Sequence, residues 1–134
     1  MNGAPFAELI FAYPAAAHAR RHGPRRYAEY GYYKPWLRDD FSFRCVYCLW
    51  RERWEKDGAA IFSIDHVIAQ SVAPERICDY ENLVYACTSC NSSKQATSLP
   101  DPCVECFAAH LRVREDGRVE GMTPAGNGWW TYSI

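Results

Sequence analysis

The spacing of the cysteines is the strongest constraint on the fold. Six of the seven cysteines form three Cys-x-x-Cys pairs, namely Cys45/Cys48, Cys87/Cys90 and Cys103/Cys106. An odd number of cysteines argues against a closed disulfide framework, whereas the repeated two-residue gap is typical of tetrahedral zinc sites. We therefore expect the first two pairs to close one four-thiolate zinc site. Such a site has no open position, so its role is structural. Buried apolar thiols are the alternative.

The chain between Cys48 and Cys87 is about twice as long as the roughly 15–20 residues of a simple zinc ribbon. It contains adjacent Asp65 and His66 within a run, residues 59–70, that is otherwise typical of a strand. Successive strand residues point to opposite faces. The two side chains can therefore serve one site only where the strand bends or ends.

The first cysteine pair and the Asp65-His66 pair are followed by Asn82, and Asn91 and Lys94 come directly after the second cysteine pair. This ordered set of motifs resembles the HNH endonuclease family. The family signature is a Cys-x-x-Cys, an Asp-His strand, a mid-motif Asn and a Cys-x-x-Cys-Asn-x-x-Lys at a helix start. The matching segments are Cys45-Val-Tyr-Cys48, Asp65-His66-Val-Ile, Asn82-Leu83 and Cys87-Thr-Ser-Cys90-Asn91-Ser-Ser-Lys94. The resemblance covers about residues 41–95, with a weaker similarity in the Asp116-Gly117 hairpin.

The resemblance implies a metal-dependent endonuclease that hydrolyses DNA phosphodiester bonds and leaves 3'-hydroxyl and 5'-phosphate ends. His66 would be the general base, since an imidazole with a pKa near 6.5 accepts a proton at neutral pH. Asp65 and Asn91 would hold one divalent cation, Mg²⁺ or Mn²⁺. Asn82 would pin the loop between the strands and so orient His66, and Lys94 is a candidate phosphate contact.

Two positions depart from the family pattern. Many members have His where Asn91 stands; an amide oxygen mildly favours Mg²⁺ over softer metals. Many also have Pro three residues after the base, where this chain has Ala69, a change that alters loop stiffness more than chemistry.

We expect one α+β domain over residues 1–134, because the chain is too short for two comfortable ones. The resemblance implies a ββα-metal (His-Me finger) core stapled by the four-cysteine zinc site. The predicted parts are a helical N-terminal extension (1–40), the HNH core (41–99) and a C-terminal β-hairpin and tail (100–134).

Local patterns predict the elements within these parts. Helical pieces broken at Pro14 and Gly23-Pro24 are expected over residues 4–36. An alternating segment, residues 41–48, is typical of a strand entering the first cysteine pair. A second strand is expected at 83–86 and a helix at 87–99, and Asp116-Gly117 predicts a hairpin turn.

The net charge of −1 conceals an uneven distribution, because residues 1–38 carry six basic side chains and two acidic ones. Arg25 and Arg26, beside Tyr27 and Tyr30, are therefore candidate DNA contacts. A solvated helix face, with the rings packed in the core, is the alternative. No apolar run approaches the ~18 residues of a membrane span, and the apolar N-terminal segment lacks a basic leader, so we expect a cytoplasmic protein.

Some alternatives stay open. Cys103, Cys106 and His110, with Cys78, have a spacing that permits a second zinc site.

A non-catalytic, zinc-stabilised nucleic-acid-binding module and a zinc scaffold for protein partners compete with the nuclease, but neither explains the Asp-His pair. DNA is the expected partner, and recognition is expected to be modest or to come from a homodimer or larger nuclease assembly. The motif is compatible with restriction, phage packaging, mobile elements and toxins.

Overall fold

A two-stranded antiparallel sheet and the helix that follows it form the centre of the protein. The structure is a computed structural model and describes residues 11–94, 99–116, 118–122 and 131–132. Strand β1 (Phe62–His66) pairs with β2 (Leu83–Cys87), with Phe62 opposite Cys87 and His66 opposite Leu83.

Strand β1 ends at His66, which is where sheet pairing gives way to the loop over residues 67–82. The Val67 amide still donates to the Asn82 carbonyl (2.8 Å), and short 3₁₀ turns at Pro74–Arg76 and Tyr80–Asn82 then return the chain to β2. The predicted strand over 59–70 is therefore shorter at both ends, since Gly58–Ile61 forms a 3₁₀ turn.

Helix α1 (Lys34–Asp40) follows a 3₁₀ turn at Tyr30–Tyr33 and packs against both strands. Pro35 lies in its first turn, where a missing N–H costs nothing. Leu37 is fully buried. Lys34 Nζ donates to the carbonyls of Ala59 (2.9 Å) and Phe62 (2.8 Å), which ties the helix to the start of β1.

The helical N-terminal extension is wrong for residues 11–29, which contain neither helix nor strand. Residues 1–10 lie outside the described part. Pro14, Gly23 and Pro24 interrupt helix formation, so the segment has no regular pattern of backbone hydrogen bonds of its own. Contacts with the end of α1 hold it instead.

The buried Asp40 carboxylate is the centre of those contacts. It accepts hydrogen bonds from His18 Nε2 (3.0 Å), the backbone amides of Arg21 (2.9 Å) and His22 (3.3 Å), and the Tyr80 hydroxyl (2.8 Å). Burial alone would raise the pKa of Asp40, but these hydrogen bonds outweigh it and lower the pKa below its usual range. One ionised side chain thus fixes the path of the N-terminal segment.

The strand predicted at residues 41–48 is also wrong. Ser42 and Phe43 adopt left-handed backbone conformations (φ 59° and 57°), which are incompatible with an extended strand. Only Arg44 forms a bridge, with Arg51. The first cysteine pair instead joins the sheet through a backbone hydrogen bond from the Val46 amide to the Tyr85 carbonyl (2.9 Å).

Helix α2 (Thr88–Lys94) begins directly after β2. It is shorter than the helix predicted over 87–99: Cys87 belongs to the strand, and residues 95–98 lie outside the described part. The second antiparallel sheet has the order β3 (Leu111–Val113), β4 (Val119–Gly121), β5 (Thr131–Tyr132). The first two strands pair around Asp116, as the predicted hairpin requires, and Gly117 is outside the described residues.

The core contains several tyrosines whose hydroxyls are hydrogen-bonded. Tyr33 donates to the Cys78 carbonyl (3.0 Å) and Tyr85 to Glu52 (2.7 Å). Burial of each such ring contributes roughly 1.5–3 kcal/mol. The stripe of rings at helical spacing before and within α1, namely Tyr27, Tyr30, Tyr33 and Trp36, is only partly in the core, because Tyr33 is buried but Tyr27 is 37% exposed. No helix in the described ranges is both long and apolar enough to cross a membrane.

Candidate active site and zinc centre

The four cysteines of the first two pairs converge at one buried point. All four are buried, and their sulfur atoms lie within 4.8 Å of one another. Cys48 Sγ is 3.7 Å from Cys87 Sγ. Four ligands at ~2.3 Å from a tetrahedral zinc would place their sulfurs about 3.8 Å apart, so the cluster has the size that zinc requires.

The electrostatics of the cluster favour the same conclusion. Hydrogen bonds with the other sulfurs, together with burial, raise the pKa of Cys90, whereas accepting those bonds lowers the pKa of Cys87. Four buried thiolates without a cation would repel one another strongly. Within each Cys-x-x-Cys turn, called a knuckle below, a backbone amide also donates to a sulfur. Cys48 N donates to Cys45 Sγ (3.5 Å) and Cys90 N donates to Cys87 Sγ (3.4 Å). The four cysteines could hold zinc.

The remaining cysteines form no second site among the described residues. There, the first four cysteines are the only group of three or more metal-ligating side chains close enough to share an ion. Cys78 and Cys106 each donate to a separate backbone carbonyl, and His110 lies 3.1 Å from Glu105. The structure therefore does not bring Cys103 and its predicted partners together.

A surface cleft at the end of β1 brings three of the predicted site residues together. Asp65 and His66 enter it from the strand and Asn91 enters from the second turn of α2. The rest of the wall consists of Tyr30, Ile64, Ala69, Gln70 and Ser71. Because Cys87 pairs with Phe62, α2 begins beside the start of β1 and then runs along that strand, which brings Asn91 to Ser63 and Ile64.

His66 is held with a defined tautomer. Its Nε2 lies 3.0 Å from the Ile77 carbonyl, and because a carbonyl only accepts, Nε2 carries the proton. Nδ1 is then the basic nitrogen, and it lies 3.4 Å from the amide nitrogen of Gln70 on the cleft wall. Tyr30 packs edge-on against the imidazole, with ring centroids 4.7 Å apart. The Nδ1 lone pair therefore points to the cleft wall, where the Gln70 amide is its hydrogen-bond donor.

Asp65 is more deeply buried than a surface metal ligand would be. Its Oδ2 accepts a hydrogen bond from the Tyr47 hydroxyl and lies 3.3 Å from Lys94 Nζ. Burial raises the pKa of Asp65, and the charge of Lys94 and the Tyr47 hydrogen bond partly oppose that shift. Lys94 Nζ also donates to Oδ1 (3.5 Å), so the ammonium contacts both oxygens of the carboxylate.

Asn91 is oriented by β1. Its Nδ2 donates to Ser63 Oγ (2.9 Å) and to the Ile64 carbonyl (3.3 Å). The Ile64 carbonyl fixes the nitrogen on that side, since it can only accept. The amide oxygen, which is the atom that can ligate a cation, points the other way. A carboxylate and an amide oxygen at one cleft are a donor set suited to Mg²⁺ or Mn²⁺.

Asn82 spans the loop that follows β1. Its side chain accepts from the Ile68 amide (2.9 Å) and donates to the carbonyls of Ile68 (3.1 Å) and Arg76 (3.3 Å). Asn82 is almost completely buried. Because this loop also supplies both His66 partners, Ile77 and Gln70, the amide connects loop geometry to the imidazole.

The sequence model of the HNH endonuclease family matches residues 45–97. These residues are similar to an HNH endonuclease domain. The matched residues, called the HNH segment below, include both cysteine pairs of the buried cluster and all three cleft residues. HNH domains are generally nuclease domains, so the match indicates nuclease activity with DNA as the substrate. No curated protein and no solved structure matches the chain.

Lys94 of the HNH segment has a different position from the one predicted. It was expected at the surface as a phosphate contact, but its side chain is buried. Its Nζ lies 3.3 Å from both Asp65 Oδ2 and the His66 carbonyl oxygen. A buried ammonium requires such partners. An internal ion pair therefore takes the place of the predicted phosphate contact.

Arg25 and Arg26 lie outside the HNH segment, and both are exposed. They precede Tyr27, which is 37% exposed, and Tyr30, which packs on His66. The basic segment thus reaches the cleft through one of its own tyrosines.

Three residues near the site were not predicted from the sequence: Tyr30, Tyr47 and Gln70. Gln70 follows His66 by four residues, which is too weak a pattern to single out. Tyr30 belongs to a stripe that is usually core. Tyr47 lies between Cys45 and Cys48, and nothing in the sequence around it indicated contact with Asp65.

Proposed function

We propose that this protein is a metal-dependent endonuclease that hydrolyses DNA phosphodiester bonds, with β1, β2 and α2 as its ββα-metal core. The observation that supports it best is the cleft itself. The unprotonated nitrogen of His66 lies at the same cleft as a carboxylate and an amide oxygen.

His66 is the proposed general base. Water that lies in the cleft near Nδ1 would transfer a proton to that nitrogen as it attacks phosphorus. The hydrogen bond from Nε2 to the Ile77 carbonyl holds the ring and stabilises the positive charge that it gains. This arrangement orients the base through backbone rather than through a second ionisable side chain.

Asp65 and Asn91 are the proposed ligands of one Mg²⁺ or Mn²⁺ ion. When bound, such an ion acts as a Lewis acid on the scissile phosphate and stabilises charge on the leaving oxygen. Asp65 supplies the negative charge of the site, and Asn91 supplies a neutral oxygen fixed by Ser63 and Ile64. The zinc cluster is proposed to be structural, because its four ligands are buried and leave no open position.

The test uses plasmid DNA and single-stranded DNA with Mg²⁺ or Mn²⁺. The wild-type protein should nick or linearise the DNA, and chelation of the added cation should stop it. His66→Ala should lower the cleavage rate by about 10²–10⁴-fold, the usual contribution of a general base. Ends that DNA ligase can reseal would support 3'-hydroxyl and 5'-phosphate products.

His22→Ala is the matched control. This histidine is paired with Asp39 (2.6 Å) outside the cleft, so its removal should leave cleavage close to the wild-type rate. DNA binding without cleavage in every condition would instead favour the non-catalytic binding module. Equal cleavage by His66→Ala and the wild type would refute the assigned base.

A further inference from the structure

Tyr47 connects the zinc centre to the catalytic carboxylate. It lies between the ligands Cys45 and Cys48, it is buried, and its hydroxyl donates to Asp65 Oδ2. The pairing is not a consequence of sequence proximity, since 18 positions separate the two residues. The first knuckle therefore supplies a hydrogen-bond donor to Asp65 on strand β1.

The position of Tyr47 is fixed from several sides. Its ring stacks on Phe107, with centroids 5.9 Å apart and an interplanar angle of 21°. Its carbonyl accepts a hydrogen bond from the Tyr13 hydroxyl, and the preceding amide, Val46 N, donates to the Tyr85 carbonyl on β2 (2.9 Å). Cys45 and Cys48 fix the backbone on either side. A phenol held in this way can orient the group that it contacts.

Asp65 receives complementary support from the second knuckle. Lys94 ends the helix that carries Cys90 and Asn91, and its Nζ lies 3.3 Å from the same Oδ2. It also donates to Oδ1 (3.5 Å), so Lys94 contacts both carboxylate oxygens while Tyr47 donates to Oδ2. Together the two donors fix the orientation of the carboxylate.

We propose that Tyr47 is a positioning residue through which the structural zinc site sets the affinity of Asp65 for the catalytic cation. The inference rests on the proposed function, because it takes Asp65 as a cation ligand. Partners that orient a metal ligand typically change metal affinity or activity by 10–100-fold. A hydroxyl in this position belongs to that class of contact.

Tyr47→Phe removes the hydroxyl and keeps the ring that stacks on Phe107. The zinc-loaded protein is titrated with Mn²⁺, and free Mn²⁺ is followed by electron paramagnetic resonance. We expect binding weakened by about 10-fold or more, with zinc content unchanged. DNA cleavage should need more Mn²⁺ but approach the wild-type rate at saturation, since the hydroxyl acts through Asp65 and not on the reacting atoms.

Tyr85→Phe is the matched control, because it removes another buried hydroxyl, one bonded to Glu52. It should bind Mn²⁺ as the wild type does. Equal Mn²⁺ affinity in Tyr47→Phe and the wild type overturns the inference, as does equal weakening in both variants. Asp65→Ala separates the two proposals: if it binds Mn²⁺ normally, the proposed cation site itself is wrong.

A second measurement keeps the hydroxyl and therefore decides the matter if Tyr47→Phe does not fold. 3-Fluorotyrosine is placed at position 47 alone, and its ¹⁹F resonance is recorded during a Mg²⁺ titration. We expect the resonance to shift as Mg²⁺ is added. The shift should saturate over the Mg²⁺ concentrations that displace Mn²⁺ from the site. A resonance that does not move through saturation overturns the inference.

Discussion

Asn82 is the residue whose replacement tests most directly how the loop holds the base. Asn82→Ala removes three hydrogen bonds from a buried position, two of them to Ile68 and one to Arg76. At roughly 0.5–1.5 kcal/mol each, their loss should lower the free energy of unfolding by about 3 kcal/mol. For a domain of this size that corresponds to a fall in Tm of roughly 10 °C.

Asn82→Asp separates the donors from the acceptor. It keeps the oxygen that accepts from the Ile68 amide but replaces the donor that faces two carbonyls with a second oxygen. Burial and these carbonyls should raise the pKa of the introduced carboxyl above its unfolded value of ~3.9. Its neutral form is then favoured in the folded state, so the variant loses stability relative to the wild type as the pH rises above about 4.

Both variants are measured by urea denaturation of zinc-loaded protein at pH 5 and pH 8, with DNA cleavage in parallel. Glu81→Ala, an exposed neighbour, should change stability by less than ~0.5 kcal/mol. Cleavage by Asn82→Ala should fall by about 10²-fold at temperatures where the variant stays folded, because the His66 partners move with the loop. A stability loss below ~1 kcal/mol, or wild-type cleavage, would refute this reasoning.

Other contacts yield further predictions. The lowered pKa of Asp40 stabilises the fold at pH values above ~4, and this stability is lost as the pH falls through the folded pKa. Asp40→Asn should therefore be destabilising at pH 7 and progressively less destabilising in acid. Thermal melts over this pH range measure the difference. Cys90→Ser should abolish zinc binding and cooperative unfolding, whereas Cys103→Ser should retain one zinc by metal analysis. Replacing Arg25 and Arg26 with Ala should reduce the salt slope of DNA binding by about 1.8 if each contacts one phosphate; an unchanged slope would remove them from the interface.

Cysteine spacing predicted the four-cysteine cluster because the two cysteines of each pair are close together in the chain. A Cys-x-x-Cys turn brings its two sulfurs to one point by local geometry, and only the meeting of Cys45/Cys48 with Cys87/Cys90 needs the fold. Strand β2 and the start of α2 followed for the same reason, since Cys87 ends one and Cys90 lies within the other.

The N-terminal segment could not be predicted in this way. Its apolar composition favours a helix, but its conformation depends on Asp40, a carboxylate that lies at the other end of α1 and binds the segment through two backbone amides. Lys94 illustrates the same limit. Propensity places a helix-end lysine in solvent, and only the neighbouring Asp65 makes its burial favourable.

The adjacent Asp65 and His66 differ in their surroundings because β1 alternates and then ends. Asp65 faces the two cysteine knuckles, where Tyr47 and Lys94 hold it, whereas His66 is the last strand residue and meets the loop that supplies Ile77 and Gln70. If β1 continued beyond His66, strand alternation would direct the imidazole to the face opposite the Asp65 carboxylate, away from the cleft. The end of pairing at His66 therefore allows Asp65 to be fixed by contacts from the two cysteine pairs and His66 by the loop, while both line the same cleft.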